Sequence, residues 1–494
     1  MTEKPLIGVV FLTSGWFRDV GLQNENSDLS REVDKMAAEI IHKLSGYCTP
    51  VHSGVVYSTD EAKKLAEKIK THHVDGLIVA PLMWCEDQIL RAFLKDFFNA
   101  GTRSIPILLS TFFPYEELPY YKSSSIANKN YGKSNLKKAI LPFQKMLKGS
   151  GGVGSLQFSG MLKREGYIFR SETGYFRDED LYKRIGVHLK AMKIKSELQN
   201  TKCGILPYRC DQMSTTYIDE FKLRSTFGIE LTYLTLEEVR YEAEKVKSEE
   251  ISVLKEKLSE HGINIHVDEK NFTHAARYSI ALERIIERHG LSIIAMNDVG
   301  EEMHICFGIR PSLFNPAINE RGTVISMEAD VAAGICMYIT KLLTGSAPFY
   351  TETFTSDLKN NAILMGHAGY HDPSIHDPNV PVRIIPDVEY ENSDPYPGAY
   401  TYFKYKNGNV TVINSVYDGE NLRWIVVQGE SIGNGPILEG NSHLLFKPSI
   451  PVKYFFNSSI ELGSSQHWIV LPGHLSDDIE RLCFWLGIKY VKLE

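Results

Sequence analysis

Four side chains in this 494-residue sequence are of the right type to do chemistry together: Glu328, Glu352, His367 and His467. Three of them fall in one stretch, VISMEADVAAGICMYITKLLTGSAPFYTETFTSDLKNNAILMGHAGYHDPSI, which is otherwise apolar. Carboxylates are seldom buried unless they are paired or hold a metal. Glu328 follows the apolar run TVISM and is expected to start a helix, while Glu352 sits in FYTETF after the turn Gly345-Ser346-Ala347-Pro348. His367 follows ILMG at an expected strand end, and His467 stands where a polar turn feeds the apolar run WIVLP. Taken singly, each is also explained as a helix-cap carboxylate or a hydrogen-bonded core histidine. Together, two hard carboxylates and two imidazoles suit Mn²⁺, Co²⁺ or a related octahedral ion better than a structural zinc, which favours cysteine.

Neighbouring residues extend the candidate set. His371 lies four after His367, a helical ligand spacing, but Gly369 and Pro373 oppose a helix there. It is read as a support behind the ligands or as a substrate contact. His376 reads as an ordinary loop residue and His474, beyond Pro472 and Gly473, as facing solvent. Met213 follows Asp211 and Gln212 at a strand end, where it either touches a ligand or fills the core.

The elements that must position these residues follow from hydrophobic periodicity. LIGVVFLT, VDGLIVAPL and IPILLST are short apolar runs separated by amphipathic helical stretches, which implies a parallel sheet covered on both faces. Ligands in such sheets lie beyond the carboxyl ends of the strands, so Ser14, Gly15 and Trp16 mark a site edge. The run from Gly149 to Gly154 is formally a G-x-G-x-x-G, but LKKAILPFQKML before it has helical periodicity and no strand delivers the chain to the first glycine. A surface loop is expected there. KCGILPYR, IELTYLTL and LSIIAMNDVG alternate with helical stretches to form a second α/β unit.

After His367 the runs VRIIPDVEY, AYTYFKYK, NVTVINSVYD, LRWIVVQGESI and VKYFFNSS are β-rich, with Asn407-Gly408 and Asp418-Gly419 as hairpin turns. An antiparallel barrel or sandwich over about 377–463 is expected, closed by the helix DDIERLCFWLGI. The predicted class is α/β: two consecutive Rossmann-like domains, 1–175 and 176–325, followed by a mostly antiparallel β domain, 326–494, that carries most of the candidate ligands.

Composition bounds the partners. The formal net charge of −7 comes with no long run of Lys or Arg, so neither nucleic acid nor a membrane surface is indicated, and a small-molecule substrate is the default. No run approaches the roughly 18 apolar residues of a membrane span. The N-terminal run lacks a cleavage site and reads as a strand rather than a signal peptide. Seven scattered cysteines without a C-x-x-C read as reduced, mostly buried thiols of a cytoplasmic protein.

The motifs around the four candidate ligands resemble the metal-binding core of the L-arabinose isomerase and L-fucose isomerase superfamily. MEADVAAG is similar to the helix start that bears its first metal-binding Glu, PFYTETFTSDL to its second acidic motif, MGHAGYHDPSI to the ligand His followed by Pro-Ser-Ile, and QHWIVLPG to the strand supplying the last ligand. Weaker similarity reaches back through FGIELTYLTLEEV, CDQM and FLTSGWF. Glu352 matches the L-arabinose isomerases, where L-fucose isomerases place Asp, whereas the helix after Glu328 reads more like the fucose branch. The substrate pocket departs from the arabinose pattern: Trp16 replaces a sugar-contacting Gln, Phe354 a Tyr, Ala368 a Met, and Gln466 the first His of a pair.

The resemblance implies an aldose–ketose isomerase for a pentose, a deoxyhexose or a related sugar, working through a cis-enediol. Glu328 and Glu352 would serve as both ligands and proton carriers, with Mn²⁺, Co²⁺ or Mg²⁺ held also by His367 and His467. Trp16, Met213, Phe354 and His371 are the implied substrate contacts. It also implies a homo-trimer or homo-hexamer with shared active sites, in which Trp16 acts across a subunit boundary. Two other functions fit the same residues: another enediolate reaction such as sugar epimerisation, and a sugar-binding protein without chemistry.

Overall fold

The computed structural model describes residues 3–18, 20, 29–98, 105–118, 143–390 and 398–494. The chain forms two compact units, Met1–Ser196 and Glu197–Glu494. The expected α/β class holds: two parallel sheets built from strand–helix alternation are followed by a largely antiparallel sheet.

The first unit is built on β1 (Leu6–Leu12), β2 (Thr49–Val51), β3 (Val55–Val56), β4 (Gly76–Pro81), β5 (Ile107–Phe113) and β6 (Phe169–Tyr175). Their order is β2-β1-β4-β5-β6, with β3 also on β1, and every pairing is parallel. Apolar runs such as GLIVAP are buried on both faces, as parallel strands under helices must be. The glycine run of 149–154 corrects the expected surface loop: from Gly151 on it is the start of a helix, Gly151–Arg164. A Cβ on Gly151 would lie 2.7 Å from the Pro81 carbonyl, and one on Gly154 would lie 2.8 Å from Pro81 Cβ. The glycines let the helix approach the end of β4 closely; they do not open a loop. Of the helical run before them, 136–142 lies outside the described residues.

The second unit contains β7 (Lys202–Leu206), β8 (Glu230–Tyr233), β9 (Asn264–Ile265), β10 (Ile293–Met296) and β11 (Val324–Met327). Four of these make a parallel sheet in the order β11-β10-β7-β8. The helix Glu269–His289 runs from an Asp268 cap to a left-handed Gly290, the start and stop signals expected of an amphipathic helix.

The remaining strands are β12 (Phe349–Asp357), β13 (Ala362–His367), β14 (Arg383–Ile385), β15 (Tyr400–Tyr402), β16 (Gly408–Tyr417), β17 (Leu422–Ile432), β18 (Ser442–Pro448), β19 (Trp468–Pro472) and β20 (Lys489–Lys492). The order β16-β19-β12-β13-β18-β17, with β17 paired back to β16, closes a barrel, and β20 adds to β17 in parallel. The barrel therefore begins at Phe349 and reaches past Gly463, wider at both ends than the expected 377–463.

Two local expectations need correction. VKYFFNSS is not a strand but the helix Val452–Glu461; its buried residues Val452, Phe455 and Ser459 recur at helical spacing, and burial of that face overrides the aromatic β-propensity. Asn407-Gly408 does not turn a hairpin, because β15 pairs with β14, and Asn407 Nδ2 instead donates to the Gly433 carbonyl at 2.7 Å. Asp418-Gly419 does turn one, between β16 and β17, with Asp418 Oδ1 accepting from the Glu420 and Asn421 amides. The seven cysteines are free, and all but Cys306 are buried. Among the described residues, no helix is long and apolar enough to cross a membrane.

Candidate metal centre

Strand register brings the four candidate residues together within the second unit. In the parallel sheet, Met327 at the end of β11 pairs with Met296 at the end of β10, so Glu328 and Asp298 emerge side by side at the carboxyl edge, where ligands of such sheets bind. In the barrel, Glu352 lies opposite Gly366, next to His367, and Thr351 opposite Trp468, next to His467. Two antiparallel ladders that share β12 thus fix three of the residues, and the parallel sheet supplies Glu328. Ligand atoms of all four fall within 4.8 Å of one another, three of the residues being buried and Glu352 partly so.

The backbone at Glu328 is unusual. Glu328 and Ala329 both adopt left-handed conformations, with φ of 58° and 52°, a region in which non-glycine residues cost about 1–3 kcal/mol and which clusters at functional sites. Glu328 therefore precedes the helix Val331–Thr344 rather than starting it, and the cap is Asp330, whose Oδ1 accepts from the Ala333 amide at 2.8 Å. The other oxygen, Oδ2, lies 2.7 Å from His467 Nδ1.

Hydrogen bonds fix how each imidazole faces the cluster. His367 Nδ1 donates to the Ala368 carbonyl at 2.5 Å, which leaves Nε2 as its inward atom. That Nε2 is buried, makes no hydrogen bond, and sits 3.5 Å from Glu328 Oε1. His467 Nδ1–H points at Asp330, so its Nε2 faces Glu328 Oε2 at 2.7 Å and Glu352 Oε1 at 3.8 Å. The ring of Tyr350 packs against both imidazoles, 4.8 Å from His367 and 4.7 Å from His467, and its hydroxyl donates to the Met327 carbonyl at 3.2 Å.

The electrostatics separate the two acids. Burial works against a charged Glu328, but its contacts with His367 and His467 prevail and hold it well below the usual carboxylate range. Burial raises Glu352, helped by the Glu328 charge and opposed by the two histidines. Burial disfavours a charged His467, yet its bonds to Asp330 and Glu328 raise it to about 10.

This donor set fits a divalent cation: a buried imidazole nitrogen without a partner, a second imidazole oriented by a carboxylate behind it, and two convergent carboxylates. Imidazole oriented from behind by an acid is the usual arrangement at metal sites.

The other sequence candidates are distributed around this cluster. Met213 is brought to it: Gln466 Nε2 donates to Met213 Sδ at 2.8 Å and lies 3.5 Å from Glu328 Oε2, while Thr215 Oγ1 donates to Gln466 Oε1 at 3.1 Å. Phe354 occupies a bulge in β12, where the register shifts between Thr353 and Thr355, and its partly exposed ring lies against Gly366. A bulge re-aims the side chain it carries. His371 stands behind the cluster, with Nε2 2.9 Å from the His367 carbonyl and the rings of Phe349, Tyr400 and Phe403 around it. His376 Nδ1 approaches the Pro373 carbonyl at 2.9 Å. His474 is exposed, as expected, and its Nε2 lies 3.3 Å from the Gly429 carbonyl. Trp16 belongs to the first unit, in the turn Gly15–Phe17 after β1, and is 57% exposed.

Sequence reasoning missed Asp330, Asp298 and Tyr350. Signals for two of them were present: Asp330 directly precedes VAAGICMYITKLL at a capping position, and Tyr350 shares a strand face with Glu352 by period two.

No protein-family model matches the chain. It is similar to the sulfoquinovose isomerases of Priestia aryabhattai and Priestia megaterium, each 22% identical over 340 residues that cover 67% of this chain and 73% of the relative. Over two thirds of its length the chain is thus similar to enzymes named as sugar isomerases.

Proposed function

We propose that this chain is a divalent-metal-dependent aldose–ketose isomerase of the L-arabinose and L-fucose isomerase type, acting on a pentose, a deoxyhexose or a related sugar. The observation that carries this is the convergence of two carboxylates and two oriented imidazoles within 4.8 Å. The likeness to sulfoquinovose isomerases supports the sugar-isomerase class. Homo-oligomeric assembly, with Trp16 acting across a subunit boundary, is part of the same proposal.

Moving a carbonyl between C1 and C2 of a sugar takes a proton from one carbon and returns it to its neighbour through a cis-enediol. Glu328 and Glu352 carry that proton as base and acid, and the opposite displacement of their affinities suits two such roles. Glu328, Glu352, His367 Nε2 and His467 Nε2 would hold the ion, which supplies Lewis-acid stabilisation of charge on O1 and O2. Asp330 keeps the His467 ring oriented, and the Ala368 carbonyl does the same for His367. Phe354 and Met213 flank the acids and give the sugar its apolar walls, and the Gln466 amide offers a polar contact beside Glu328.

The test is incubation in D₂O with Mn²⁺ and a panel of aldoses, including L-arabinose, L-fucose and sulfoquinovose, followed by NMR. Ketose formation with deuterium at C1, and at C2 of the aldose re-formed by the reverse reaction, is the expected outcome. Deuterium with inversion at C2 and no ketose assigns an epimerase, and binding without exchange assigns a sugar-binding protein; either result overturns the proposal.

A further inference from the structure

The strained backbone at Glu328 has a specific restraint that belongs to none of the four converging residues. Two consecutive non-glycine residues in the left-handed region do not hold that conformation by themselves. Glu328 N–H donates to Asp298 Oδ1 at 2.8 Å, and Ala329 N–H donates to the Met296 carbonyl at 2.9 Å. Met296 ends β10 and Asp298 follows it by two residues, so the turn after β11 is pinned to the end of the neighbouring strand.

Asp298 is itself buried, 2% exposed, and its second oxygen makes no hydrogen bond. The nearest compensating charge is Arg310, whose Nη1 lies 3.6 Å from that oxygen. Arg310 is also buried and is fixed in two further directions: a fork onto Asp387, with Nε to Oδ2 and Nη2 to Oδ1 both 2.9 Å, and Nη1 2.9 Å from Glu389. Tyr390 lies 5.0 Å beneath the guanidinium and its hydroxyl reaches the Asp298 carbonyl at 3.4 Å. A planar guanidinium held on a carboxylate fork is rigid in orientation as well as in charge. If the cluster were only a buried ion network, Asp298 would spend its oxygens on Arg310. Its one hydrogen-bonded oxygen goes instead to the Glu328 amide.

We infer that Asp298, backed by Arg310, is a positioning residue that keeps Glu328 left-handed and so aims its carboxylate at Glu352, His367 and His467. The purpose assigned to that aim rests on the isomerase proposal; the restraint itself does not.

The test compares Asp298→Ala, which removes the acceptor, with Asp298→Asn, which keeps one. In crystal structures of the metal-free proteins, Asp298→Ala is expected to release Glu328 from positive φ and break its contact with His467, while Asp298→Asn keeps both. Mn²⁺ affinity, read by electron paramagnetic resonance, is expected to fall about 10–100-fold in Asp298→Ala, the usual effect of losing an outer-shell partner. Asp298→Asn should restore most of it. An alanine variant with Glu328 still left-handed and still on His467, or with parental Mn²⁺ affinity, overturns the inference. If the parent binds no Mn²⁺, the isomerase proposal falls, and the two crystal structures still decide the positioning role. If Asp298→Ala does not fold, Glu328→Gly is combined with it, since glycine adopts positive φ freely. A double variant that folds supports the restraint, and one that also fails to fold reduces Asp298 to charge compensation for Arg310 and overturns it.

Discussion

Substituting Asp330 separates two functions carried by one buried carboxylate. Its Oδ1 caps the helix Val331–Thr344 through the Ala333 amide, and its Oδ2 receives the His467 Nδ1–H. Losing an N-cap costs about 1 kcal/mol, and leaving a buried donor unpaired costs about 1–3 kcal/mol. Asp330→Ala is therefore expected to destabilise the metal-free protein by about 2–4 kcal/mol. Asparagine is as good a cap as aspartate, so Asp330→Asn keeps the first contribution and loses mainly the charged part of the second, about 1–2 kcal/mol. Urea unfolding in a chelator measures both. Mn²⁺ titration of the same variants should show a loss of about 10–100-fold, because an unrestrained His467 ring no longer presents Nε2 to the cluster. Equal destabilisation by Ala and Asn would refute the capping role. Parental Mn²⁺ affinity in the alanine variant would refute the orienting role.

Glu328→Gln and Glu352→Gln are expected to leave folded proteins whose sugar turnover falls by about 10³-fold or more, since each removes a proton carrier; circular dichroism and ketose formation check the two halves. Burial is the main reason the His371 imidazole is held down to about 3, against a rise from its bond to the His367 carbonyl. A histidine depressed in the fold binds its proton more readily when unfolded, so its contribution is complete above about pH 6.5 and is lost as pH falls towards 3. At pH 5 the loss is about 2 kcal/mol, and His371→Gln should flatten the acid limb of a stability–pH curve; an unchanged limb would refute the assignment. Gly154→Ala should destabilise the first unit by about 1–3 kcal/mol by forcing a methyl to 2.8 Å from Pro81, read as a lower denaturation midpoint. A midpoint equal to the parent's would show that the close approach of helix and strand is not tight in solution.

Much of the architecture was legible because burial imposes a period. GLIVAP and IIAM announce parallel strands by continuous hydrophobicity, and Asp418-Gly419 announces a hairpin because its backbone demands those residues. Residue type alone also singled out Glu328, Glu352, His367 and His467, since a carboxylate or imidazole at the end of an apolar run is costly unless something there needs it. Composition and periodicity did not separate VKYFFNSS as a helix from a strand, nor the glycines of 151–154 as close contacts from a loop, because both are decided by what the segment packs against.

The tertiary structure alone decided how those residues act on one another. The two ladders that set Glu352 beside His367 and His467, the left-handed turn at Glu328, and the service of Asp330, Asp298 and Arg310 are all products of register and strain. Register depends on pairings between segments more than a hundred residues apart, as between Thr351 and Trp468. Strain depends on neighbours that restrain it. Neither is a property of any local stretch of sequence, whereas hydrophobic period and donor chemistry are.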